Sequence, residues 1–259
     1  MFPTILRNSC YNGWRHTILR QFTTFKTAFP KAARNGENKY SARNIKKDYL
    51  RQKGKSHSST IWLDRQLRDP YTIMAKEEGY RSRAVYKLKE IDERFHVFRE
   101  GNIVVDVGAA PGGWSQYAVE RVGITIPHSV FSIDLLDIEP ITGVHFLCGD
   151  FMSESARCKL EDYIDNRRVD VVISDIAPNF SGDHSIDHEK QIDMCESVIE
   201  FAKRVAKKDC SVVLKVLQGE EFPSFMKSVR SQFQSVNLIK PKASRKKSTE
   251  IYCVLKHFL

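Results

Sequence analysis

Seven short runs rich in β-branched residues, at 103–107, 130–134, 144–147, 169–174, 211–216, 235–240 and 251–256, alternate with helical stretches along most of the chain. That alternation leaves few folds open, because a strand that is followed by a helix and then another strand pairs in parallel with its neighbour through a crossover. The first, fourth and fifth runs are almost continuous Val and Ile, the pattern of strands buried on both faces. Only a short basic loop, 240–249, separates the last two runs, and a loop that short favours an antiparallel pair. Ahead of the first strand, Trp62, Leu63, Gln66 and Leu67, then Tyr71, Met74 and Ala75, then Ala84, Leu88 and Ile91 recur at helical spacing and predict two helices.

Charge is unevenly distributed. Residues 1–68 hold 15 Lys and Arg against 3 Asp and Glu, whereas residues 69–259 hold 26 against 29. Polyanion binding by the body of the chain must therefore rest on local clusters. Two are evident: Arg81, Arg83, Lys87 and Lys89, and Lys240, Lys242, Arg245, Lys246 and Lys247. Residues 1–36 contain Arg7, Arg15, Arg20, Lys26, Lys31 and Arg34 and no acidic residue. This reads as a mitochondrial transit peptide, with a basic nucleic-acid-binding arm as the alternative. Residues 37–61 are polar and basic and read as a flexible lead-in, which leaves 62–259 as the folded domain. The six cysteines show no paired C-x-x-C spacing, which argues for a reducing compartment and against structural zinc. No apolar run is long enough to span a bilayer.

The first strand ends in Asp106, and the turn Asp106-Val107-Gly108-Ala109-Ala110-Pro111-Gly112-Gly113-Trp114 then opens a helix. Glycines there let backbone amides and a helix N-terminus approach a ligand closely. Their spacing, G-x-x-x-G-G, differs from that of a dinucleotide turn. A carboxylate two residues ahead of the first glycine would repel a pyrophosphate yet suit an ammonium, which favours S-adenosylmethionine over NAD. Asp134, at the end of the second strand, is placed for ribose hydroxyls.

Asp175 follows the fourth strand and should project into the crevice at the strands' carboxyl ends. Lys215 interrupts an apolar strand, and a buried ammonium needs a carboxylate partner or a depressed pKa. Asp175 is its natural partner.

With Arg81-Ser82-Arg83-Ala84-Val85-Tyr86-Lys87-Leu88 and Ser244-Arg245-Lys246-Lys247-Ser248-Thr249-Glu250-Ile251-Tyr252, these segments resemble the active site of the FtsJ/RrmJ-type RNA ribose 2′-O-methyltransferases. The resemblance covers roughly residues 62–259. It implies a Rossmann-like α/β methyltransferase fold, a seven-stranded, mostly parallel sheet with one antiparallel strand. It also implies a catalytic set of Lys87, Asp175, Lys215 and Glu250. S-adenosyl-L-methionine would lie against Asp106, Gly108, Ala109, Pro111, Gly112, Gly113, Trp114, Asp134, Asp150 and Asp175, with Asp150 near the adenine.

In this reading Lys215 takes the proton of a ribose 2′-hydroxyl, with its pKa tuned downward, while Asp175 positions it and Lys87 and Glu250 orient the ribose. Arg81, Arg83, Arg245 and Lys246 would grip phosphates. The implied substrate is a uridine in mitochondrial large-subunit rRNA or a pre-ribosomal particle. A tRNA enzyme and an rRNA-binding assembly factor are the alternatives. His184 and His188, near Asp183, Asp187 and Glu189, read as solvated polar groups, and no metal is expected.

Overall fold

The computed structural model describes residues 68–124 and 128–259. The expected transit peptide at 1–36, the lead-in at 37–61 and the helical pattern of Trp62 to Leu67 lie outside the described residues. The described chain runs α1 (Pro70–Glu77), α2 (Val85–Phe95), β1 (Val104–Val107), α3 (Gly113–Val122), β2 (Val130–Asp134), β3 (Val144–Cys148), α4 (Glu154–Ile164), β4 (Val169–Ser174), α5 (His184–Val205), β5 (Ala206–Leu217), α6 (Phe222–Arg230), β6 (Phe233–Ile239) and β7 (Glu250–Phe258). The strands form one sheet in the order β3-β2-β1-β4-β5-β7-β6. All neighbours are parallel except β7, which inserts antiparallel between β5 and β6. The expected single reversed strand is therefore β7.

Strand alternation sorts the core onto two faces. Val171, Ile173, Val213, Tyr252 and Val254 face the side packed by Leu88 and Ile91 of α2 and Ala118 and Val122 of α3. Val172, Val212, Leu214, Cys253 and Leu255 face the side packed by Leu160 of α4, Val198 and Phe201 of α5 and Phe225 of α6. Helices thus cover both faces, as the near-continuous Val and Ile runs predict.

One strand is longer than expected. β5 begins at Ala206 rather than 211, and its register against β4 shifts between Val169 and Val171. Lys207, Lys208 and Asp209 fall in that irregularity and are exposed, so no apolar alternation marks them as strand.

Asp92 ties α2 and α3 to the approach to β1. It is buried, its Oδ1 accepts from Val97 N and Phe98 N, and its Oδ2 accepts from Tyr117 OH and Arg121 Nε. Asp92→Ala would leave several of these donors unpaired. Denaturant unfolding of the variant should show a loss of about 3 kcal/mol.

Candidate active site

β1 leads to β2 on one side and lies against β4 on the other, so the connections diverge at the carboxyl ends of β1 and β4. An open α/β sheet forms its ligand crevice at such a point. Here the turns after β1 and β4 touch. A Cβ on Gly108, whose φ is +77°, would come within 2.7 Å of Ile176 Cα, so both space and conformation call for glycine. At Gly112, φ +105°, a Cβ would meet Ile141 Cδ1 at 2.7 Å and the Arg81 guanidinium at 3.1 Å.

Alternation along the strands also builds the charged centre. Asp175 follows Val171 and Ile173, Lys215 follows Val213, and Glu250 precedes Tyr252 and Val254, each at two-residue intervals. All of them fall on the sheet face that α2 covers. In the β5–β7 register Lys215 lies opposite Tyr252 and Leu217 opposite Glu250.

Lys215 is buried, and its Nζ lies 3.2 Å from Asp175 Oδ1 and donates to the Asp175 carbonyl at 2.5 Å. Tyr252 OH donates to Asp175 Oδ1 at 2.7 Å and accepts from Lys87 Nζ at 3.0 Å. Lys87 Nζ also pairs with Glu250 Oε2 at 2.9 Å. The polar path therefore runs Glu250, Lys87, Tyr252, Asp175, Lys215. Burial works to raise the Asp175 pKa, but the Lys215 and Lys87 ammoniums and the Tyr252 hydrogen bond outweigh it and hold the carboxyl below its ordinary range.

Two members of this arrangement are not identified in the sequence reading. Tyr252 is fully buried, and its phenol is pushed well above its usual pKa by burial and by the Asp175 and Glu250 charges, so it stays a neutral donor. Its two-residue offset from Glu250 is the signal that places it there. Gln191 of α5 is fully buried on the opposite face, and its Nε2 donates to Lys215 O at 2.9 Å and to Ile176 O at 3.2 Å. It fixes β5 and the loop after β4 together.

Around the glycine turn, Asp106 is fully buried. Its Oδ2 accepts from Ser115 Oγ at 2.6 Å, while Oδ1 has no hydrogen-bond partner. Burial, which outweighs the Ser115 hydrogen bond, together with the Asp175 and Asp134 charges pushes its carboxyl up to about 7. Asp134 accepts from Ala110 N at 2.8 Å and from Leu136 N at 2.9 Å, which joins the loops after β1 and β2. A cleft of about 580 Å³ between those loops is lined by Arg81, Ala110, Pro111, Leu136, Ile138 and Glu139. Asp150, past β3, is exposed and accepts from Met152 N at 2.9 Å. Ala109 closes the turn by accepting from Gly112 N at 2.7 Å, and the Cβ of a side chain on Gly113 would lie 3.2 Å from Ser82. Trp114, expected among the cofactor contacts, turns its side chain toward the charged path. The ring is buried against Tyr252, with its Nε1 donating to Ala84 O at 2.8 Å, so it supports the charged path from behind.

The two expected basic clusters separate. Arg81 donates to Glu139 O and Pro140 O across the glycine turn, and Arg83 pairs with Asp69 and donates to Ala243 O. Both guanidiniums thus hold the domain together rather than standing free for phosphates. Arg245 and Lys246 are exposed on the β6–β7 loop beside Glu250. His188 also corrects its expectation. It is buried rather than solvated, and its Nε2 accepts from Glu221 N at 3.0 Å. Asp187 is likewise buried, accepting from Ser181 and Gly182, while Asp183 caps α5. Among the described residues, no three His, Cys, Asp or Glu side chains form a metal-holding group.

Asp106 gives the site a pH signature. Its folded-state pKa lies above its ordinary value of 3.8, so the stability associated with the protonated form is fully present below about pH 3.8 and is lost as pH rises through about 7. Asp106→Asn should raise the melting temperature at pH 8, by the equivalent of about 4 kcal/mol at most, and by less than half of that at pH 5. Thermal denaturation at both pH values checks this.

Comparison with known proteins bears on the chemistry of this crevice. Residues 80–258 match the family described as FtsJ-like methyltransferase. A protein of Ehrlichia chaffeensis named ribosomal RNA large subunit methyltransferase E is 42% identical over 197 residues, spanning 76% of this chain and 92% of that protein. One of the same name from an Azoarcus species is 44% identical over 198 residues, spanning 76% of this chain and 96% of that one. A crystal structure described as a putative ribosomal RNA methyltransferase from Plasmodium falciparum superposes with a TM-score of 0.62 at 28% identity, covering 70% of this chain and 99% of its own. The crevice, the turns that form it and the charged path thus lie within a matched domain, and the chain belongs to the FtsJ-like methyltransferase family.

Proposed function

We propose that this protein transfers a methyl group from S-adenosyl-L-methionine to a ribose 2′-hydroxyl, that of a uridine, in the large-subunit rRNA of mitochondria. The observation that carries this reading is the buried path from Glu250 through Lys87, Tyr252 and Asp175 to Lys215, opening beside a glycine turn. The names of the bacterial relatives supply the rRNA substrate class, and the acid-free basic residues 1–36 supply the compartment.

The donor set suits the cofactor's charge. Asp106 has an unpartnered Oδ1, and its carboxyl is raised toward neutrality by burial and by two neighbouring carboxylates. A ligand bearing an ammonium and a sulfonium would relieve that repulsion. Asp134 and Asp150 stand at the ends of β2 and β3 for the ribose and adenine. When bound, the cofactor supplies an electrophilic methyl group on sulfur.

The chain's own residues act on the acceptor. Lys215 Nζ holds the ribose 2′-oxygen, and the Lys215–Asp175 pair, having first given up one proton to solvent, takes up the hydroxyl proton as the oxygen becomes nucleophilic. Asp175, ionised in the resting site, fixes Lys215 and balances the charge that the proton brings. Tyr252 keeps Asp175 from turning away, and Lys87 with Glu250 closes the other side of the ribose. Because these groups interact strongly, the proton belongs to the group as a whole. Holding all of them in place before the acceptor arrives is the main catalytic contribution expected of such a site.

Lys215→Ala should abolish transfer while leaving S-adenosylmethionine affinity within about three-fold, since its side chain contacts Asp175 rather than the glycine turn. The decisive measurement is a map of 2′-O-methyl sites in mitochondrial large-subunit rRNA from cells carrying the wild-type protein or Lys215→Ala. Loss of one site in the variant is the expected result, and an unchanged map excludes the reading. On the β6–β7 loop, Arg245→Ala and Lys246→Ala should each weaken RNA binding and lower the slope of log affinity against log salt by about 1. Binding titrations at several salt concentrations test this.

A further inference from the structure

Phe180 stands on the loop that carries Asp175, and it is 64% exposed, more than any other Phe, Tyr or Trp among the described residues. The loop does not present it by being slack. Its first half is anchored by Ile176, packed beneath Gly108 and held through its carbonyl by Gln191, and by the buried Pro178. Its second half is anchored at Ser181 and Gly182, whose amides donate to Asp187 at 2.7 Å and 3.2 Å. Between two fixed points the ring is directed outward, with no aromatic or cationic partner among the described residues.

Phe180 lines a cleft of about 1070 Å³ whose other boundaries include Leu217, two residues beyond Lys215, and Thr249, next to Glu250. The cleft therefore reaches the ends of the strands that carry Lys215 and Glu250, although no residue of the charged path is among its lining. Its walls differ in sign. The α5 and β5–α6 wall carries Glu189, Asp193 and Glu220, and the opposite wall carries Lys247, with Arg245 and Lys246 on the same loop. A phosphate chain is repelled by the first wall and attracted by the second. With the ribose at Lys215 and the phosphates along the basic loop, the neutral base is the part of a nucleotide left to face Phe180. An exposed aromatic ring suits an unstacked base, because every base has a π-face.

We infer that Phe180 is the stacking platform for the base of the acceptor nucleotide, which enters the cleft unstacked from its neighbours. This rests on the proposed ribose methyl transfer and adds to it how the acceptor is held. It also predicts weak discrimination among bases at this contact, since stacking reads a surface and not a hydrogen-bonding edge.

The test compares wild type with Phe180→Leu, Phe180→Ala and Phe180→Trp in two assays. One is labelled-methyl transfer to large-subunit particles lacking the modification, and the other is binding of an oligouridine by fluorescence anisotropy. Phe180→Leu and Phe180→Ala should lower kcat/KM for particles and oligouridine affinity roughly ten-fold or more, with Phe180→Trp near wild type. S-adenosylmethionine affinity and thermal melting should be unchanged in all three, because the ring is exposed and its loop is anchored elsewhere. Wild-type transfer and oligouridine affinity in Phe180→Leu would overturn the platform. Phe180-dependent oligouridine binding by a wild-type protein that transfers no methyl group would instead overturn the proposed activity and leave the platform standing. A wild-type protein that neither binds nor transfers would overturn both.

Discussion

Asp175 and Lys215 stand side by side where two adjacent parallel strands end, and burial makes each depend on the other. A lone ammonium inside a strand covered on both faces would be costly, and so would a lone carboxylate beneath a loop. Together, and with Tyr252 donating to the carboxylate, they make a charge pair that can be kept out of bulk water. Much of the surrounding structure serves that pair. Gln191 clamps the two strand ends from the far face, the absence of a side chain at Gly108 lets the turns after β1 and β4 close over them, and Trp114 backs the phenol that joins them to Lys87.

The arginines of the segment before α2 show how the site is tied to the rest of the domain. Arg81 spans the glycine turn to reach two carbonyls of the loop after β2, while Arg83 links Asp69 to the carbonyl of Ala243 near the β6–β7 loop. The segment that supplies Lys87 is thereby fastened to both halves of the crevice. A change at either guanidinium would disturb the geometry of the whole site, and an activity loss at these positions would be a poor measure of contact with RNA.

The order of strands and helices, the reversed strand and the Asp175–Lys215 pair were all legible in the sequence, because each breaks or keeps a periodic apolar pattern. Lys215 is conspicuous for interrupting a run of Val and Leu. Tyr252 was not, since a tyrosine among β-branched residues looks like ordinary core, and only its two-residue offset from Glu250 marks it as part of the charged face. The roles of Arg81 and Arg83 depend on backbone carbonyls far along the chain, which no local pattern reveals. His188 looked solvated because its neighbours are charged. It is buried because Gly219 faces it, where a Cβ would lie 2.7 Å from the imidazole ring. The start of β5 was hidden by the exposed charges Lys207, Lys208 and Asp209, which fall where the register against β4 shifts.

The position of β7 has a consequence for biosynthesis. Glu250 and Tyr252 belong to the last strand, which slots between two strands made earlier, and the lysine that Glu250 pairs with lies 163 residues upstream. A nascent chain that has built β1 to β5 can hold its glycine turn, Asp175 and Lys215, yet it lacks the phenol and the carboxylate that set their charge balance. Competence for chemistry would then come only as the final strand leaves the ribosome, so that a prematurely terminated product carries an incomplete and inactive centre.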